Sequence, residues 1–202
     1  MKQLRKRLFI SKRTGAGERD KMIKLAIENE CNTLVFSLDD SYFKNRSKNT
    51  KYIKLIKNYG LFIEAGGRNF PLLMPKKLFF FNRELFRMER GRRRASHHFC
   101  PTNPKTTAII AENAAVWIER VIEGVTQPRV FHLLPDEGRE TTWCACPACR
   151  AFSPAEQYLI AVNTTADVLA KYDHEAMLAY VDFDTEPEAE GISPRKNVMV
   201  CK

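Results

Sequence analysis

Apolar residues recur along this chain in two alternating rhythms. Short apolar runs alternate with longer segments in which apolar positions return every three or four residues. These are the patterns of buried strands and of amphipathic helices. RKRLFIS reads as a short buried strand, and GERDKMIKLAIENECN places Met22, Ile23, Ala26 and Ile27 at helical spacing. TLVFSL is a β-rich run ending in Asp39-Asp40; TKYIKLIKNYG follows as a helix with Gly60 as its stop, and LFIEA as a strand closing on Gly66-Gly67. An irregular segment with Pro71, Pro75 and the cluster Arg90 to Arg94 comes next. NPKTTAIIAENAAVWIERVIEG is the strongest helix, with Thr106 or Thr107 near its start and Gly124 near its end. Strand RVFHLL, helix SPAEQYLIAVNTTADVLAKY, strand AMLAYVDF and a last apolar run, NVMVC, complete the order.

Strand–helix alternation with near-continuous apolar strands is the pattern of an α/β fold whose parallel sheet is covered on both faces. No Gly-x-Gly-x-x-Gly follows any strand, which argues against a dinucleotide-binding domain. The expected fold is a (β/α) barrel of the TIM type, incomplete at about six strands, with residues 1–202 as a single domain. A closed barrel needs eight strands. Either the sheet stays open, or the chain is a truncated piece of a longer protein, and an unclosed sheet exposes its edge strands.

Composition fits an ordinary globular chain, 44% hydrophobic and 28% charged. No run of about eighteen apolar residues suits a membrane span. MKQLRKRLFISKR has a positive start, but its apolar part, Leu8-Phe9-Ile10, is too short for a signal peptide. The sequence as written points to the cytoplasm, or to export of a parent protein if an upstream segment has been lost. The net charge of +9 is uneven: residues 1–100 hold 24 Lys/Arg against 9 Asp/Glu, residues 101–202 hold 9 against 15. A basic half invites a nucleic-acid reading with steep salt dependence. Against it, the lysines of SKNTKYIKLIKNYG fall on the solvent face of a helix, and RGRRR is expected in a loop without interleaved aromatics.

Carboxylates recur just after the expected strands: Asp39 and Asp40, Glu64, Asp136 and Glu137, then Asp182, Asp184 and Glu186. In a (β/α) barrel those strand ends form the active-site face. Hydrolysis of a glycosidic bond takes a proton donor and a nucleophile or base. Neighbouring residues on a regular strand face opposite ways, but Pro135 ends the ladder and lets Asp136 and Glu137 share one rim. Repulsion and partial burial would then raise one pKa to that of a general acid. The plain alternative is a polar turn at Asp136-Glu137-Gly138.

The pattern YGLFIEAGGRNF … HHFCPTNPKT … HLLPDEG … WCACPACRAFSPAEQ … NTTADVLAKYDHEAMLAYVDF … PRKNVMV resembles the bacterial domain-of-unknown-function 4838 family, from about Arg7 to Val200. That family is associated with glycosidase-like barrels related to α-glucuronidases and β-hexosaminidases. The resemblance implies a carbohydrate substrate, with Glu137 as general acid and Asp136 orienting a substrate acetamido group. It sets Arg68 where many relatives carry a histidine after the third strand.

Cys144-x-Cys146-x-x-Cys149 is compact, and its spacing suits a tetrahedral zinc ion. The fourth ligand would come from SHHFC: Cys100, His97 or His98. A disulfide and free thiols are the alternatives. A zinc ion here would be structural, since the chemistry assigned to the acids requires no cofactor. Cys31 and Cys201 read as core residues, as does Trp117; His132 reads as a satisfied core histidine and His174 as a helix-end residue. Trp143 would stack on a sugar or pack beneath the cysteine loop.

Three functions follow. The first is a glycoside hydrolase-like protein using Asp136 and Glu137, with Asp39, Asp40, Glu64, Arg68, Asp182, Asp184 and Trp143 as substrate-binding residues. The second is a non-catalytic carbohydrate-binding or structural barrel fragment with zinc on Cys100, Cys144, Cys146 and Cys149. The third is a zinc-stabilised nucleic-acid binder. Oligomeric state is not readable from the residues.

Overall fold

The computed structural model describes residues 5–10, 16–44, 50–95, 99–135, 143–181 and 191–200. Six strands form one parallel sheet: β1 (Arg7–Ile10), β2 (Thr33–Phe36), β3 (Phe62–Gly67), β6 (Val130–Leu133), β7 (Met177–Tyr180) and β8 (Val198–Val200). They neighbour one another in chain order, so β1 and β8 are the two edges and the described sheet does not close. Each expected strand is present.

The helices between them are α1 (Ala16–Glu28), α2 (Ser41–Lys44), α3 (Thr50–Asn58), α4 (Phe70–Leu73), α5 (Pro104–Val121) and α6 (Pro154–Tyr172). Alternate strand residues, among them Leu34, Phe36, Ile63, Ala65, Phe131, Leu133 and Leu178, join the helices' apolar faces in the main core. The opposite sheet face carries Glu64 and His132, both buried.

Local signals fix the long helices. Asn103 caps α5: its side chain accepts from the Lys105 backbone N–H, with Pro104 at the first turn. Thr106, near the helix start as expected, is buried and donates to Leu85 O. Ser153 and Glu156 form a reciprocal capping box on α6. The α5 segment tightens into a 3-10 turn over Ile122–Gly124, where a Cβ on Gly124 would meet Phe43 at 2.8 Å.

The segment expected to be irregular is partly ordered by short elements. Arg90 to Arg94 lie not in an open loop but in a hairpin of β4 (Met88–Glu89) and β5 (Arg92–Arg93). Its two-residue turn, Arg90-Gly91, has positive φ at both positions, 47° and 75°, as the tightest hairpin turns require. The arginines are partly consumed within the fold: Arg93 donates to Phe86 O at 2.6 Å, and Arg87 and Arg94 both face Glu89.

Candidate functional site

A cleft of about 570 Å³ opens at the C-terminal ends of β1, β2, β3 and β6, within the size range of small-ligand sites. Phe9, Leu72 and Leu134 give it apolar walls; Ser37, Asp39, Arg68 and Asn69 give it polar groups. Of the expected substrate-binding residues, Asp39 and Arg68 line this cleft. Asp40 does not line it: its carboxylate accepts the Tyr42 backbone N–H at 2.7 Å, closing the first turn of α2. Asp136, Glu137, Asp182 and Asp184 lie outside the described residues, as do His97, His98 and Cys201. Leu134, two positions before Asp136 in the sequence, lines the cleft.

Glu64 requires a correction. It lies within β3, which runs on to Gly67, and not after the strand. Its carboxylate is fully buried on the inner sheet face, where Arg5 and Arg7 donate to it and His132 Nε2 is 2.6 Å away. Burial pushes the Glu64 pKa up, but the bonds from His132, Arg7 and Arg5 outweigh it and hold it at about 2. Glu64 is thus an ionised anchor joining β1, β3 and β6. His132 is buried as expected, yet its Nδ1 has no hydrogen-bond partner among the described residues. Gly66 makes the β3–β6 approach possible, since a Cβ there would stand 2.0 Å from His132 O.

Trp143 is half-buried and packs against Tyr158, with ring centroids 6.0 Å apart. It is not among the residues lining the cleft.

The four cysteines converge. Cys100, from the segment before α5, and Cys144, Cys146 and Cys149, from the segment before α6, are all buried, with sulfurs within 4.8 Å of one another. Cys100 Sγ is 3.7 Å from both Cys146 Sγ and Cys149 Sγ. A tetrahedral zinc with bonds of about 2.3 Å would separate its sulfurs by about 3.8 Å. A disulfide needs about 2.05 Å, and the five described cysteines are all unpaired. Thus Cys100 is the fourth member of the group, and the residues present fit a metal.

The surroundings are built for thiolates. The Met88 backbone N–H points at Cys144 Sγ at 3.2 Å, and Arg93 Nη1 is 3.7 Å from the same sulfur. Bonds from Cys144 and Cys149 pull the Cys100 pKa far below the usual thiol value, while contact with Cys100 pushes both of those thiols up. Four sulfurs brought together as thiolates in this space would need a cation between them.

Gln157 on α6, overlooked in the sequence, organises this loop. Its Oε1 accepts the Cys144 N–H at 2.9 Å, and its Nε2 faces the carbonyls of Cys144 and Cys149 at 3.2 Å and of Phe152 at 3.3 Å.

No protein-family model matches this chain, and no curated protein matches it. Solved structures do. The chain is similar to the tandem GH20 catalytic modules of the pneumococcal exo-β-D-N-acetylglucosaminidase, with a TM-score of 0.60 and 12% identity, covering 97% of this chain and 58% of that one. The fold is an α/β fold of the (β/α)-barrel type, incomplete among the described residues. Weaker likenesses include the α-galactosidase of Lactobacillus brevis (TM-score 0.48, 7% identity, 81% of this chain, 24% of that one) and a family GH13_31 enzyme (TM-score 0.46, 9% identity, 90% and 47%). The chain thus spans somewhat more than half the length of the pneumococcal chain. No described helix is long and apolar enough to cross a membrane.

Proposed function

We propose that this chain is a carbohydrate-processing part of a glycoside hydrolase-like barrel, akin to the domain-of-unknown-function 4838 family it resembles, with residues 1–202 acting as one domain. The observation that carries the reading is the cleft at the strand C-termini, which brings Asp39, Arg68 and Asn69 together against apolar walls. Polar groups on an apolar surface suit a sugar, which presents hydroxyls at its edge and C–H groups on its faces. In this reading Glu137 protonates the leaving oxygen, Asp136 orients the substrate beside it, and Asp182 and Asp184 contact further hydroxyls. Glu64 acts from beneath, by fixing the strands that carry the rim.

The same reading places a structural zinc on Cys100, Cys144, Cys146 and Cys149, supported by the 3.7 Å sulfur spacing and complete burial. With no open position, the ion would clip the segment before α5 to the segment before α6 and take no part in the chemistry. Screening the protein on a glycan array, followed by incubation with each bound glycan, tests the proposal. Binding followed by release of a smaller sugar is expected. Binding without turnover would replace it with the non-catalytic alternative, and binding to no glycan would overturn both.

A further inference from the structure

Asn69 follows β3 and is held by its backbone. Its N–H donates to Gly67 O at 2.9 Å, and its carbonyl receives the N–H groups of Leu72 and Leu73. The side chain makes no capping bond, is only 2% exposed and lines the cleft. Of its two amide polar atoms, one lies 3.0 Å from Ser37 Oγ; the other has no hydrogen-bond partner among the described residues.

Ser37 Oγ is also 2.8 Å from Asp39 Oδ1. A hydroxyl has one proton and cannot give it to both neighbours. Given to the Asp39 carboxylate, it leaves Ser37 as an acceptor for the Asn69 amide nitrogen, and the amide oxygen becomes the atom left over. Given to the Asn69 oxygen, it leaves the amide nitrogen over. The two amide orientations have the same shape, so either fits the space. In both, one polar atom of Asn69 is without a partner among the described residues, and buried polar groups ordinarily have one.

The unpartnered atom stands 3.8 Å from where a Cβ on Gly67 would be, so no side chain at position 67 intervenes. A hydroxyl both donates and accepts, and so satisfies Asn69 in either orientation.

We propose that Asn69 is a ligand-binding residue that reads one hydroxyl group of a saccharide in the cleft, with Ser37 and Asp39 as positioning residues that set the orientation of its amide. This rests on the carbohydrate reading above and adds to it a recognition residue other than the assigned acids.

The test uses the full chain and calorimetric titration with methyl β-D-glucopyranoside, methyl β-D-galactopyranoside and methyl N-acetyl-β-D-glucosaminide, together with their monodeoxy derivatives. Wild type should lose at least tenfold in affinity for one monodeoxy derivative of the sugar it binds. Asn69→Ala should lose a similar factor for the parent sugar and no longer distinguish that derivative. Asn69→Asp, isosteric but with a second carboxylate beside Asp39, should also weaken binding, and it covers the case in which the alanine variant does not fold. Undiminished binding by either folded variant, with discrimination retained, would overturn the assignment of Asn69 alone. Failure of wild type to bind any of these sugars would remove the carbohydrate reading, and the inference with it.

Discussion

Gln157 and Cys144 hold each other by a closed pair of hydrogen bonds: Cys144 N–H to Gln157 Oε1 at 2.9 Å, and Gln157 Nε2 to Cys144 O at 3.2 Å. One buried side chain on α6 thereby fixes the backbone of the residue that opens the cysteine triad. Replacing it with an apolar residue of similar size would leave buried backbone groups unpaired. Gln157→Leu is expected to destabilise the protein by about 3 kcal/mol, read as a lower urea midpoint, and to reduce the metal retained through gel filtration.

Metal analysis of the purified protein should give close to one zinc per chain. Cys149→Ser should lower that content and the thermal midpoint together, because a structural metal contributes directly to folding stability. The same variant with unaltered stability and no metal in wild type would leave the cysteines as a plain thiol cluster.

Glu64 gives the fold a defined acid sensitivity. Its folded-state pKa, about 2, lies below its ordinary value of 4.5. A depressed carboxylate stabilises the fold fully above the unfolded value, and that contribution fades as pH falls from about 4.5 towards about 2. The shift corresponds to about 3 kcal/mol. Urea titrations at a series of pH values should show this loss in wild type and a flatter profile in Glu64→Gln. That variant should also be weaker at neutral pH, since it leaves Arg5 and Arg7 without their counter-charge.

Gly66→Ala is expected to abolish folding or cost more than about 3 kcal/mol, because its methyl group would overlap the backbone of His132. Circular dichroism and yield of soluble protein would report this, and a stable variant would mean that β3 and β6 are not so closely paired.

The strand–helix order was legible because buried parallel strands and amphipathic helices leave distinct periods, and all six main strands follow them. The cysteine triad was legible from spacing alone. The choice of Cys100 over His97 or His98 was not, since that depends on how the β4–β5 hairpin returns the chain. That hairpin was itself obscured because its turn puts Arg90 at positive φ, a position that asparagine or aspartate would have signalled. Glu64 was misplaced because the glycines that follow LFIEA look like a strand stop, whereas the strand continues through them to pair with His132 and Leu133. Gln157 and Asn69 left no signal, since each acts through groups distant in the sequence.

The proposed role of Glu137 as proton donor in glycoside cleavage is measured most directly by aglycone release. The full chain should hydrolyse at least one member of a panel of 4-nitrophenyl glycosides, and Glu137→Gln should lower kcat by at least 100-fold, with an unchanged melting temperature and metal content. Equal turnover by wild type and Glu137→Gln on the same glycoside would remove Glu137 as the proton donor.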